Sequence, residues 1–260
     1  MINENCSLTL RELKFKINEE YQINVSQTTI SKYIKGFHFS VKRLHLIAQA
    51  STKPALEISR REYSSWFLQR HNDRRNLIFI DETGFQVVMR RFYGRSLKGT
   101  RACNVVPAIR SRNKTVIAAI SENELLLYNT PDCSGNRDSF LDFITNLCDH
   151  LNSKFLKECI LIMDNASFHR CSEIQQTIIR RGHELKFLPP YSPYFNPIEC
   201  LFSQWKSIVR GQNPTNESEL GIAISSFQAI ITKEQCLNYV QNVVNNCIRC
   251  LAGEDVNKIN

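Results

Sequence analysis

Apolar and polar positions along the chain follow two different rhythms. Near the amino end Leu10, Leu13, Ile17 and Tyr21 recur at helical spacing, and Thr9 with Glu12 forms a capping box in front of them. After a break at Gln22–Val25, Ser26 is a second N-cap, with Val25 and Ile30 at staple positions and Gly36 as the C-terminal stop. Ile30, Tyr33 and Ile34 are expected to face inward. Residues 37–54 look like a basic connector ending at Pro54. A helical stretch from Ala55 to about Asn72 follows, bearing Leu56, Tyr63, Trp66, Phe67 and Leu68.

From Asn76 the rhythm changes. Leu77-Ile78-Phe79-Ile80 and Cys159-Ile160-Leu161-Ile162-Met163 are continuous apolar runs, closed by Asp81-Glu82-Thr83-Gly84 and by Asp164-Asn165. Such runs read as strands buried on both faces. Arg101–Ile109, Thr115–Ile120 and Leu125–Tyr128 read as further strands, Arg137–Leu151 and Ser172–Arg181 as helices. A stiff stretch from Pro189 to Pro197 then opens a helix, because each proline fixes φ and restrains the residue before it. Asn196 is its expected N-cap and Pro197 its first residue, which puts Glu199 third. Ile198, Leu201, Phe202, Trp205, Ile208 and Val209 form the buried stripe. Lys206 and Arg210 run along another face with Glu199, where they can reach phosphates or simply face solvent. Beyond Arg210, Leu220, Ile224, Phe227, Ile231, Tyr239, Val243, Val244 and Cys247 keep helical periodicity.

The pattern therefore predicts an α/β domain behind a small all-α one. A helix-turn-helix region is expected over 1–50, a helical linker over 51–75, a catalytic domain over 76–210 and a helical extension over 211–260. The 42% hydrophobic content suits a folded chain, and no apolar run is long enough to span a bilayer. No secretory signal is legible, so a soluble intracellular protein is expected. The ten cysteines are scattered singly, unlike a disulfide framework. Cys247 and Cys250 form one C-x-x-C with no second pair, which fits two helix residues better than a zinc site.

Charge changes the picture at the amino end. Residues 1–76 carry 13 Lys/Arg against 7 Asp/Glu, within a chain of net charge +8. That surplus suits a polyanion such as duplex DNA. In a helix-turn-helix the second helix enters the major groove. Gln27, Thr28, Thr29 and Ser31 can then reach bases, while Lys32, Lys35, Lys42 and Arg43 hold phosphates. An ordinary pair of packed helices with a solvated face explains this segment equally well.

Two buried strands that each deliver an Asp at the same sheet edge can bring those carboxylates together. Asp after a strand is also a common turn starter, and Glu199 alone could be a cap residue. Taken together the blocks are more specific. Ile80-Asp81-Glu82-Thr83-Gly84-Phe85, Met163 to His169 and Leu188 to Glu199 resemble, in order, three signature blocks of the mariner superfamily of DDE-type transposases. Tyr93 to Gly99 and Arg112 to Ser121 look like its intermediate segments. The 34 residues between Asp164 and Glu199 match one large branch of that family.

The resemblance implies a ribonuclease-H-like mixed sheet flanked by helices. It makes Asp81, Asp164 and Glu199 the catalytic and metal-binding triad, holding two Mg²⁺ or Mn²⁺ ions. Crowded carboxylates repel one another, and divalent cations relieve that strain. Two such ions about 3.5–4 Å apart can drive in-line phosphoryl transfer. The implied activity is cutting at transposon ends and joining the 3′ ends to target DNA. Asn165, His169 and Asn196 are candidates for supporting the triad or positioning the DNA, or equally for purely structural roles. The implied partners are double-stranded DNA and a second copy of the chain, in a nucleus if the host is eukaryotic or the cytoplasm or nucleoid if bacterial. Relatives usually carry two helix-turn-helix units, and only one fits here. A truncated or domesticated DNA-binding protein without transposition activity is thus the alternative reading. A ribonuclease-H-like nuclease acting on RNA–DNA hybrids is disfavoured, because helix-turn-helix motifs read duplex DNA.

Overall fold

The computed structural model describes residues 1–42, 44, 53–87, 89, 95–103, 113–131 and 136–254. The chain divides into two compact units, Met1–Ala48 and Gln49–Asn260.

The smaller unit holds α1 (Leu10–Tyr21) and α2 (Gln27–Gly36). Thr9 and Glu12 make both halves of the capping box: Glu12 accepts from the Thr9 N–H at 2.7 Å, and Thr9 Oγ1 accepts from the Glu12 N–H at 3.3 Å. Ser26 Oγ accepts from the Thr29 N–H at 3.0 Å and caps α2. Leu13 and Ile30 are the buried apolar residues at the helix contact. Three expectations are corrected. Tyr33 is 67% exposed and Tyr21 57%, so neither completes an inner face. Gly36 is the last residue of α2, and His38, at φ 62°, takes the left-handed conformation two residues later. A helix pair this small cannot enclose every apolar position its periodicity offers.

The larger unit is built on a five-stranded mixed sheet in the order β3-β2-β1-β4-β5. Central β1 (Leu77–Phe85) pairs antiparallel with β2 (Lys114–Ile120), which pairs antiparallel with β3 (Leu125–Asn129). On its other side β1 runs parallel to β4 (Ile160–Met163), and β4 to β5 (Glu184–Phe187). Alternation sorts the side chains. Ile78, Ile80, Leu161 and Met163 pack with α4 (Arg137–Ser153) and α5 (Ser172–Arg180) on one face. Leu77, Phe79, Ile160 and Ile162 share the opposite core with α3 (Pro54–Asn72), α6 (Ile198–Gln212), α7 (Glu217–Ser225) and α8 (Lys233–Leu251). Helices on both faces explain why the strands read as unbroken apolar runs.

Two further expectations change. β1 does not stop at Ile80; it continues through Phe85, because β2 goes on pairing with it past Asp81, with Asp81 opposite Ala118. The strand expected over Arg101–Ile109 falls largely outside the described residues, and Arg101–Cys103 carry no regular structure.

The segments read as linker and extension pack deep into the larger unit. Tyr63 and Phe67 of α3 and Val240, Val243 and Cys247 of α8 are buried in the same core as the sheet. Trp205 of α6 is fully buried, donates its indole N–H to the Ile224 carbonyl at 3.0 Å and stacks on Phe227 with centroids 4.6 Å apart. Cys247 and Cys250 are buried on α8. No helix among the described residues is long and apolar enough to cross a membrane.

Because Phe67 is fully buried beside Tyr63 and Phe79, Phe67→Ala is expected to destabilise the larger unit by about 3–5 kcal/mol. Urea unfolding followed by tryptophan fluorescence measures this. A loss below about 1 kcal/mol would return α3 to the status of a dispensable linker.

Candidate active site

Register brings the first two carboxylates together. The parallel β1–β4 pairing ends with Ile80 beside Met163, so Asp81 and Asp164 are the next residues on neighbouring strands. By period-2 alternation both belong to the α6 face, whereas Glu82 belongs to the α4–α5 face. α6 supplies the third group. Asp81, Asp164 and Glu199 line one pocket of about 560 Å³, together with Asn165, Arg170 and Asn196.

Each Asp is held by named donors. Asp81 Oδ1 accepts from the Glu82 N–H at 2.8 Å, and Oδ2 accepts from the Asn196 side-chain amide at 2.9 Å. Asp164 Oδ1 accepts from the Ala166 N–H at 3.0 Å and faces His169 Nδ1 at 2.6 Å. His169 is fully buried, and its Nε2 lies 3.1 Å from Glu82 Oε1. With a carboxylate at each ring nitrogen, the imidazole is held as a doubly protonated bridge between Asp164 and Glu82. It also stacks on Phe140 of α4, centroids 4.2 Å apart.

The expected cap of α6 is corrected by one residue. The helix begins at Ile198 with Pro197 before it. Asn196 Oδ1 reaches the Ile198 N–H only at 3.4 Å, while its amide group is committed to Asp81.

The electrostatics follow from burial first and from neighbouring charges and hydrogen bonds second. Burial is the largest influence on Asp81; the Glu82 N–H opposes it, but Glu199, Glu82 and Asp164 add repulsion, and the carboxyl is pushed up to about 7. Burial together with Asp164 raises Glu199 against the pull of Lys206. Burial would also raise Asp164, but the His169 hydrogen bond and the Ala166 N–H outweigh it and hold the carboxyl low. Burial disfavours charge on His169, yet its bonds to Asp164 and Glu82 prevail and push it up to about 9.

The connector that delivers Asn196 and Glu199 is braced from two sides. Arg60 of α3 donates to Ser192 Oγ at 3.0 Å and to the Tyr191 carbonyl at 3.2 Å. Asn246 of α8 donates to the Tyr194 carbonyl at 2.9 Å. These braces, with Glu82 and Phe140, were not singled out from the sequence. For Glu82 a signal existed: in a strand it must point away from Asp81. For Arg60, 131 residues from Tyr191, there was none.

In the smaller unit, Gln27, Thr28, Lys32, Lys35 and Lys42 are exposed, and Ser31 is half-buried. Thr29 is half-buried too, its hydroxyl 2.8 Å from Ser26 Oγ. Arg43 lies outside the described residues.

A mixed β3-β2-β1-β4-β5 sheet with one Asp in β1, a second just past the end of β4 and a Glu at the start of α6 defines a ribonuclease-H-like fold with an acidic site. The chain belongs to the DDE superfamily endonucleases, a family matched by residues 76–220. Its fold is similar to that of the mariner transposase Mos1. The Mos1 mariner paired-end complex with Mn is 16% identical, covering 99% of this chain and 77% of that one, with a TM-score of 0.79. The Mos1 strand transfer complex is also 16% identical, covering 100% of this chain and 76% of that one at a TM-score of 0.76. The isolated Mos1 catalytic domain aligns with 84% of this chain and all of its own length, at 15% identity and a TM-score of 0.62. No match is found among curated proteins.

His169→Ala removes both ring hydrogen bonds and the Phe140 stack. Bonds to charged groups contribute about 1.5–3 kcal/mol each, and Asp164 is half exposed, so a net loss of about 2–3 kcal/mol is expected. Chemical denaturation reads it directly, and a variant as stable as the parent would show the bridge to be without structural weight.

Proposed function

We propose that this endonuclease is a mariner-type transposase that cuts DNA at transposon ends and joins the freed 3′ ends to target DNA. The observation that carries the reading is the convergence of Asp81, Asp164 and Glu199 on one pocket. The match to Mos1 complexes bearing paired ends and a strand-transfer product supports it.

The residues fit divalent metal ions. Three carboxylates offer hard oxygen donors; burial first, and then repulsion from Glu199, Glu82 and Asp164, pushes Asp81 up to about 7, and a bound cation would offset both. Among the described residues no three His, Cys, Asp or Glu side chains stand close enough to enclose an ion as they lie. Asp164 Oδ2 carries no hydrogen bond among the described residues. Asp81, Asp164 and Glu199 are the proposed ligands of two Mg²⁺ or Mn²⁺ ions. Bound there, the ions supply activation of the attacking oxygen and neutralisation of the charge on the leaving one.

The chain's own residues prepare that site. Asn196 fixes the orientation of Asp81, and His169 fixes that of Asp164. Arg170 and Lys206 offer positive charge to the phosphodiester beside the acidic groups. Gln27, Thr28, Thr29, Ser31, Lys32, Lys35, Lys42 and Arg43 are the proposed duplex-reading set, with α2 in the major groove. On paired ends the chain acts as a homodimer. The intact set of three carboxylates favours this reading over a DNA-binding protein that no longer cleaves.

With supercoiled plasmid carrying the element's terminal repeats, the protein is expected to nick DNA with magnesium or manganese and not with chelator. Asp164→Asn should lose more than about 100-fold of that rate, the scale on which one electrostatic partner of a transition state acts. Retained DNA binding by a wild type that never nicks would favour the non-cleaving reading.

A further inference from the structure

Tyr191 stands at the rim of the acidic pocket in an uncommon conformation. Its φ is 53°, in the left-handed region that side-chain-bearing residues avoid, and the residue is 56% exposed. Strained backbone of this kind persists only where the surroundings over-determine it. Here the restraint is Arg60. Its guanidinium, on a residue only 8% exposed, donates to the Tyr191 carbonyl at 3.2 Å and to Ser192 Oγ at 3.0 Å, and Ser192 Oγ donates on to the Pro190 carbonyl at 3.0 Å. Arg60 makes no ion pair among the described residues. Buried charges are ordinarily paired with an opposite charge. This one lies over the Tyr194 ring, 5.9 Å from its centroid, and gives its hydrogen bonds to the Tyr191–Ser192 turn that carries an exposed tyrosine.

The pocket also needs what this rim provides. Three carboxylates repel an incoming phosphodiester, and Arg170 and Tyr191 line the same pocket as those carboxylates. Arg170 is exposed and has no ion pair among the described residues. An exposed aromatic ring can stack on a base, but inside a duplex both faces of a base are already covered by its neighbours. The ring therefore suits a base at a strand end or one left unpaired.

We propose that Tyr191 is a substrate-contact residue, stacking on the unpaired base that flanks the scissile phosphate. Arg170 holds the phosphate of that nucleotide, and Arg60 is the positioning residue that keeps the ring in place. The proposal rests on the reading of this pocket as a DNA-processing site.

The test uses the full chain with calcium present, so that binding is read without relying on cleavage. The probes are a blunt duplex and the same duplex with a short single-stranded 3′ tail carrying 2-aminopurine, whose fluorescence falls on stacking. Wild type is expected to quench the tail. Tyr191→Ala, which leaves the backbone strain unchanged, should lose that quenching and weaken tailed-duplex affinity about tenfold, the scale of one base–aromatic stack. Blunt-duplex affinity should be unchanged, and Tyr191→Phe should keep the wild-type values. Arg60→Met should reproduce the Tyr191→Ala loss with Tyr191 intact. Equal tailed-duplex affinity for wild type and Tyr191→Ala, or a Phe variant as weak as the Ala one, overturns the proposal. Metal-dependent plasmid nicking is scored in parallel. A wild type that quenches the tail through Tyr191 but never nicks supports the base contact and removes the transposase reading. Nicking without any Tyr191-dependent tail binding removes the base contact alone.

Discussion

A slip of one residue between β1 and β4 would turn every side chain of one strand to the other face of the sheet. It would put Asp81 among the packed rings of the α4–α5 face and separate it from Asp164. What prevents the slip is apolar burial on both faces. Phe79 and Ile162 lock one side while Ile80 and Met163 lock the other, all with no measurable exposure. The carboxylate pair contributes nothing to this registry and works against it, since two like charges held side by side repel. The hydrophobic sandwich is thus the constraint on which the acidic pocket depends.

The groups around the pocket distribute that repulsion in different ways. Asp164 gains a cationic partner in His169 and stays ionised, whereas Asp81 has only neutral donors and is pushed towards neutrality. Glu82 lies on the opposite face of β1 yet joins the same network, because His169 spans the gap between the two faces. An acidic cluster left half satisfied is a stability liability for the folded chain and a ready receptor for divalent cations.

The brace around the Pro189–Asn196 connector joins segments far apart in sequence. α3 and α8 bury their apolar stripes against each other and against the sheet, and each sends one polar side chain to the connector. Residues outside the region matched by the family therefore hold the loop that delivers Glu199. The prolines stiffen that loop, but stiffness alone gives no position in space. Arg60 and Asn246 supply it.

Much of this was legible one residue at a time. Runs of apolar residues marked β1 and β4, the Thr9 capping box, the Ser26 cap and helical spacing marked α1 and α2, helical spacing marked α6, and three motif blocks pointed to Asp81, Asp164 and Glu199. Such features are encoded locally, by propensity, periodicity and the order of neighbours. Their limits were local as well: Asp81 looked like the end of a strand, because a turn-like Asp-Glu-Thr-Gly sequence hides pairing to a distant β2. Tyr33 looked internal, since periodicity shows a face and not what covers it. The partner of His169, the second role of Asn196 and the reach of Arg60 were decided only by tertiary structure. They are hydrogen bonds between residues up to 132 positions apart, and geometry of that kind exists only once packing has brought the elements together.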